Sequence, residues 1–274
     1  MSNLETTIAD DDATSLWRDF FTAVQFLTRI PIPHDADATP ESYTHSLRRS
    51  VLFFPLVGGL IGLATATVAL TTSIGFSPLV CGFLAIGIEA LLTGAFHEDA
   101  LADTCDALGG GWTREQVLEI MKDSRLGTYG TLGLVVGVGA RVAATATLLS
   151  AGWMWAMASI VAASTLARIA IIAMMISAPP ITSRQTQAKD VSGMQTTRTL
   201  IVSALMTMPL WVGWFWLSPM TACGSTLAAF IVLLWFRHKI LSRVQGTTGD
   251  LLGCSAFLVQ LVILMGSTWS IPHG

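Results

Sequence analysis

The chain has 274 residues, of which 52% are hydrophobic and only 12% charged, with a mean hydropathy of +0.62. Charged residues are about half as frequent as in soluble globular domains, which excludes an ordinary soluble protein and points to an integral membrane protein. The net charge of -3 and the scattered Lys and Arg exclude a nucleic-acid-binding surface. Four widely spaced cysteines, Cys81, Cys105, Cys223 and Cys254, exclude a disulfide framework or a zinc cluster.

Residues 1–14 carry Asp10, Asp11 and Asp12 and no basic segment followed by an apolar run, so they read as a solvated, disordered tail rather than a cleavable signal. Residues 15–274 read as a single membrane-embedded domain. From Leu16 to Ile30, the residues Leu16, Phe20, Val24 and Leu27 recur at helical spacing, with Phe21 and Ile30 beside them. Trp17 and Arg18 suit a membrane surface, so this stretch predicts an interfacial helix. Pro31 and Pro33 stop it, because proline removes a backbone donor and restricts the residue before it. The polar linker HDADATPES follows.

Seven apolar segments come next, over about 51–73, 76–96, 130–150, 153–176, 199–217, 221–236 and 251–271. Each approaches the ~20 residues that a helix needs to cross a bilayer core. The predicted fold is therefore an all-α, polytopic membrane helical bundle of about seven spans with an N-terminal interfacial helix.

Thirteen of the fifteen Lys and Arg residues fall before the first span or in every second connection. The alternate connections near 74–75, 151–152 and 218–220, and the C-terminal SIPHG, hold none. Short cytoplasmic loops are enriched in basic residues, which predicts a cytoplasmic N-terminus and large loops and an outside C-terminus. The two exceptions, Arg141 and Arg168, lie inside spans, as does Glu89. Ions at that depth need a partner or a wet cavity, so they are either a structural buried pair or a site for an anionic substrate, in both cases facing the bundle interior. Small residues four apart, at Gly58/Gly62, Gly133/Gly137 and Gly249/Gly253, let helices approach closely and would also permit a homo-oligomer.

The one strongly charged island is residues 97–130, HEDALADTCDALGGGWTREQVLEIMKDSRLGTYG. On a helix continuing from the second span at about 100° per residue, Asp99, Asp103 and Asp106 share an arc of about 60°. Such a stripe repels itself unless a cation or protons neutralise it. Carboxylates at i, i+4 and i+7 suit magnesium, which prefers hard oxygens plus water and phosphate; the alternative is a solvated acidic face. His97 would donate to a phosphate, act as a base, or serve structure alone.

Gly109, Gly110 and Gly111 then break the helix, and Thr113 is placed to cap a short helix over 114–122. Beyond it, Asp123 is a further candidate metal ligand. Lys122 and Arg125 are candidates to neutralise a phosphoryl group, and Gly127 and Gly130 offer backbone amides to phosphate oxygens. In GTTGDLLG, Asp250 is either an N-terminal cap of the last span or a fourth site carboxylate. Arg184 and Lys189 in SRQTQAKD would meet an anionic substrate or anionic lipid headgroups.

FHEDALADTCDALGGG followed by IMKDSRLGTYGTLGL resembles the signature of the cobalamin synthase family, adenosylcobinamide-GDP ribazoletransferases. FLTRIPIP, FFPLVGGLIG and GTTGDLLG match as well, so the resemblance runs from about residue 20 to 260. One departure is HEDALAD where the family pattern has Asp-Gly-Leu-Ala-Asp: Ala100 replaces the glycine and Glu98 an apolar residue, with the aspartates intact. The resemblance implies a magnesium-dependent enzyme of the inner membrane at the end of coenzyme B12 assembly. A hydroxyl of α-ribazole, or of its 5′-phosphate, would attack the cobinamide-linked phosphate of adenosylcobinamide-GDP and displace GMP. Asp99, Asp103 and Asp106 would clamp the pyrophosphate through metal. Lys122 and Arg125 would balance charge on the departing GMP.

Two other classes share parts of this pattern. CDP-alcohol and prenyl transferases of membranes also space aspartates along helices, but the former expect DGxxAR where this chain has DALGGG. A secondary transporter would use Glu89, Arg141 and Arg168 as its substrate site, but such proteins usually show internal repeats, and none is visible here.

Overall fold

A computed structural model of the protein describes residues 2–33, 40–181 and 195–269. The described residues are overwhelmingly helical, and their one extended pairing is a parallel bridge between Pro180 and Thr247. In chain order the helices are α1 (Ser2–Leu27), α2 (Pro40–Ser50), α3 (Phe54–Thr72), α4 (Pro78–Thr93), α5 (Phe96–Gly110) and α6 (Arg114–Ile120). They continue with α7 (Thr128–Ala151), α8 (Trp153–Ser177), α9 (Thr197–Met206), α10 (Met208–Leu217), α11 (Pro219–Val244) and α12 (Gly249–Thr268). Among the described residues, five helices are long and apolar enough to cross a membrane, and the number rises to seven if each of two bent pairs is one span. The expected polytopic all-α bundle is therefore the observed architecture.

The two bent pairs depart from straight spans. Between α4 and α5 the axis turns by 90°, where the second span was expected to run straight on into the acidic stretch. The cause is two successive left-handed residues, Gly94 (φ 71°) and Ala95 (φ 55°), which end one helix and start the next in a new direction. Left-handed backbone is unremarkable for Gly94 and costs Ala95 about 1–2 kcal/mol, so packing must hold the turn. Between α9 and α10 the turn is 63°, at Thr207. There Pro209, near the N-terminus of α10, has no N–H to continue the ladder. The sixth span is also longer than its apolar run: α11 extends to Val244 and carries Arg237, Lys239 and Arg243 on its last turns.

α8 lies at the centre, packed on α3, α12 and α10, while α12 also packs on α5 and α11, and α7 on α4 and α5. The small residues act where the spacing predicted close approach. A methyl group at Gly58 or Gly62 would fall within 3 Å of Ser164 on α8, so α3 and α8 meet almost backbone to backbone. At Gly133 it would fall 2.6 Å from Cys105 on α5.

The predicted amphipathic stretch is the C-terminal half of α1. Ala23 and Leu27 enter the core and Phe20, Val24 and Phe26 pack on it, while Trp17 and Phe21 remain exposed. Asp19, not singled out in the sequence, is 1% exposed and anchors α1 to α2: Arg49 pairs with it at 2.6 Å and Ser46 donates to it at 2.9 Å. The side chains of residues 1–14, the linker at 34–39, SIPHG, and Arg184 and Lys189 lie outside the described residues.

The basic connections converge on one end of the bundle. Arg114 donates to the Val244 carbonyl at 2.9 Å, Arg243 to the Gly111 carbonyl, and Arg237 to the Ser177 carbonyl at 2.8 Å. Gln195 donates to the Arg48 carbonyl at 3.1 Å, and Thr247 to the Pro179 carbonyl at 2.8 Å. Three arginines thus satisfy carbonyls left open at helix C-termini, where positive charge is favoured.

Candidate active site at the α4–α5 turn

α5 carries the acidic face. Its residues alternate between the bundle and the outside as a helix dictates: Leu101, Ala102 and Ala107 are buried, while Asp99 is exposed and Asp103 and Asp106 half-buried. Asp99 and Asp103 are one turn apart on one face. Asp106 behaves differently. Its Oδ2 accepts the Gly127 N–H at 2.7 Å and its Oδ1 the Gly130 N–H at 2.8 Å. These amides open α7, so a carboxylate from a neighbouring helix fills the place of an N-terminal capping side chain and meets the positive end of the α7 dipole. Gly127 and Gly130, expected to offer their amides to a phosphate, offer them to Asp106.

α5 runs antiparallel to α7 in a tight register. Glu98 meets Arg141, Leu101 meets Gly137, Cys105 meets Gly133, Asp106 meets Gly130 and Gly109 meets Tyr129. Gly137, Gly133 and Gly130 on α7 leave the space that this proximity needs. On its other side α5 meets α12, where a methyl group at Gly253 would lie 2.7 Å from the Ala100 Cβ. The sequence departure at Ala100 is therefore accommodated by a glycine on the facing helix.

The intramembrane ions form one network. Arg141 donates to Glu89 at 2.7 Å and to Glu98 at 2.6 Å, with its guanidinium carbon 5.2 Å from the centre of the Phe257 ring. Glu89 also accepts from Gln260 at 3.0 Å and from Thr65 at 3.0 Å, and Gln260 reaches Ser164 at 3.1 Å. Arg168 is fully buried and donates to the Ser164 carbonyl at 3.3 Å. The expected pair of Glu89 with an arginine is present and faces the interior. The sequence reading missed Glu98 as its third member, along with Gln260 and Thr65. A signal was available: Glu89 and Glu98 against Arg141 and Arg168 make a neutral set, and buried charges must balance. His97 is buried, with no hydrogen-bond partner for Nε2 among the described residues.

The stretch after α5 folds as its chemistry suggests. Thr113 caps α6 through a capping box: it accepts from the Gln116 amide at 3.3 Å, and Gln116 Oε1 accepts from the Thr113 amide at 3.2 Å. Asp123 and Arg125 pair with each other at 2.5 Å in an exposed turn. The Arg125 hydrogen bonds hold the Asp123 carboxyl at about 2, below its ordinary value of 3.8. Lys122 is exposed beside them. Asp250 lies in the first turn of α12, but the cap is Thr248, which accepts from the Leu251 amide at 3.3 Å.

Among the described residues, no three His, Cys, Asp or Glu side chains stand close enough to share a metal ion. The donor chemistry nevertheless fits magnesium. Hard carboxylate oxygens at Asp99 and Asp103 match an ion that takes one or two protein carboxylates and completes its octahedron with water and phosphate oxygens. The fit is to such a half-open site, not to an all-protein cage.

A family model described as cobalamin-5-phosphate synthase matches residues 19–268. An adenosylcobinamide-GDP ribazoletransferase of Sinorhizobium medicae is 36% identical over 257 residues, spanning 90% of this chain and 95% of the relative. Proteins of the same name from Azorhizobium caulinodans and Leptothrix cholodnii are each 36% identical, over 269 and 257 residues. These matches cover 93% and 91% of this chain and 97% and 94% of the relatives. No solved structure matches the chain. The match takes in α5, the α7 N-terminus and the α12 N-terminus together, and the chain belongs to the cobalamin-5-phosphate synthase family.

Proposed function

We propose that this protein is a membrane-embedded transferase that joins adenosylcobinamide-GDP to α-ribazole, or to its 5′-phosphate, giving adenosylcobalamin, or its 5′-phosphate, and GMP. The observation that carries this reading is family membership across residues 19–268, with the acidic face of α5 as the polar feature best suited to a pyrophosphate substrate. A hydroxyl oxygen of the ribazole forms the new bond to the cobinamide-side phosphorus. The bond from that phosphorus to the bridging oxygen breaks, the electron pair leaves with GMP, and the hydroxyl proton is released.

Asp99 and Asp103 hold magnesium in this reading. A magnesium ion held there would supply positive charge to the pyrophosphate as it is cleaved. Asp106 fixes the start of α7 against α5, and so keeps Gly127 and Gly130 beside the acidic face. Lys122 and Arg125, exposed on the return from α6, supply positive charge to the departing nucleotide. The 90° turn matters because it redirects α5 away from the axis of α4, which presents Asp99 outward.

The basic end of the bundle faces the cytoplasm of an inner membrane in this reading, and the cytoplasmic orientation is supported by the gathering of Lys and Arg in alternate connections. Nucleotide and ribazole phosphates are water-soluble, and a site at that end meets them without crossing the bilayer.

The test uses purified protein in lipid nanodiscs with adenosylcobinamide-GDP, α-ribazole 5′-phosphate and magnesium. GMP should appear, and chelation should stop it. Asp99→Ala and Asp103→Ala should each reduce release by about a hundred- to a thousandfold, the loss typical of removing an electrostatic stabiliser of the transition state. Well-folded wild-type protein that releases no GMP would remove the assignment; normal turnover in both variants would remove the metal site.

A further inference from the structure

The relation between α5 and α7 assigns a role to Arg141 that a substrate ligand could not have. Both of its terminal nitrogens are committed to carboxylates, and the residue is 1% exposed. The two carboxylates lie on opposite sides of the 90° turn, Glu89 on α4 and Glu98 on α5. The turn itself is two left-handed residues closed by backbone bonds from Ala95 to the Ala90 carbonyl at 2.6 Å and from Gly94 to the Leu91 carbonyl at 3.4 Å, with the Arg29 side chain packed over Gly94 on the outside. Such a hinge does not by itself choose how α5 is rotated about its own axis.

That rotation decides where the acidic face points. Glu98 and Asp99 are adjacent and project about 100° apart. Drawing Glu98 inward to Arg141 therefore turns Asp99 outward. At the far end of α5 the Asp106 bonds to Gly127 and Gly130 do the same, and these groups belong to α7, as Arg141 does. α7 thus grips α5 at both ends, with glycines between to permit the contact.

We propose that Arg141 is a positioning residue for the transfer reaction: by binding Glu89 and Glu98 together it sets the angle and rotation of α5, and thereby the placement of Asp99 and Asp103. The energetics agree. A buried ion set is costly to desolvate, and apolar residues of equal volume commonly stabilise a core as well or better. What the ions supply is one geometry, because a guanidinium satisfies two carboxylates only in a narrow arrangement.

The proposal rests on the transferase reading, so its test combines a measurement that needs turnover with one that does not. Spin labels are placed by Phe83→Cys on α4 and Trp112→Cys after α5, both exposed positions, with the exposed Cys223 changed to Ser. The labelled protein is compared with Arg141→Met, Arg141→Lys and Glu98→Gln in nanodiscs. A single narrow inter-label distance is expected in the parent and a broadened one in Arg141→Met. In unlabelled protein, Arg141→Met should lower kcat by at least about tenfold, raise the magnesium midpoint several-fold, and leave the KM of both substrates within about twofold. Glu98→Gln should act in the same direction, and adding it to Arg141→Met should bring no further loss. Arg141→Lys should recover part of kcat.

A narrow distance with parental kcat in folded Arg141→Met would overturn the proposal. A rise in KM with kcat unchanged would do the same, by making Arg141 a substrate ligand. Should Arg141→Met fail to fold, Glu98→Gln, which keeps a neutral acceptor, carries both measurements. A parent that releases no GMP sinks the transferase reading alone; the distance distribution then still decides whether Arg141 sets the turn.

Discussion

Asp106 on α5 accepts the Gly127 amide at the start of α7 at 2.7 Å, and with the Gly130 bond it closes the acidic stretch onto the KDSRLGTYG return. The two halves of the charged island, 21 residues apart at this contact, are thereby one structural unit. Asp106→Ala leaves two half-buried amides without their acceptor. It should destabilise the protein by about 1.5–3 kcal/mol, the worth of hydrogen bonds to a charged group. Asp106→Asn retains one acceptor and should lose less. Thermal unfolding in nanodiscs checks both, and equal stability of all three proteins would deny Asp106 this role.

The same contact predicts an asymmetry between the two glycines. A methyl group at Gly127 meets chiefly the Asp106 carboxylate, a side chain that can shift, with its Cγ 2.8 Å away. At Gly130 it also meets the Ala102 carbonyl oxygen at 2.9 Å, which is helix backbone. Gly130→Ala should therefore lose more GMP release and more stability than Gly127→Ala, by about 1–3 kcal/mol for the backbone conflict. Measuring both variants side by side decides it.

Ala100 and Gly253 predict a rescue. Gly253→Ala places two methyl groups 2.7 Å apart across the α5–α12 contact, an overlap that costs about 1–3 kcal/mol. Ala100→Gly restores the space, so the double variant should regain most of the loss despite a helix-interior glycine costing about 1 kcal/mol. A double-mutant cycle of thermal stability should show strong coupling, and strict additivity would mean the helices do not meet there.

Asp123 gives a pH prediction. Arg125 holds its carboxyl at about 2 against an ordinary 3.8, so the stabilisation from this pair is present above pH 3.8 and lost as pH falls through about 2. Between about pH 5 and 8 it contributes no pH dependence to stability or turnover. A carboxyl-carbon NMR titration should place the Asp123 midpoint near 2, and Arg125→Gln should return it toward 3.8. A midpoint near 3.8 in the parent would show that the exposed pair does not form in solution.

The sequence alone determined the class of fold, the apolar segments that become its helices, the cap at Thr113, the common face of Asp99 and Asp103, and the family. These follow from composition, periodicity and local motifs, which depend on residues close in the chain. Tertiary structure decided what those residues do. Gly94 reads as one more small residue in an apolar run, yet with Ala95 it turns the second span by 90° because Glu89, Glu98 and Arg141 are satisfied only across a bend. Asp106 reads as the third member of an acidic stripe, yet the α7 amides claim both of its oxygens. Asp19 and Gln260 carry no motif, and burial alone gives them their partners. In each case the deciding force is the cost of leaving a buried polar group unpaired, and which group answers it depends on helices far apart in sequence.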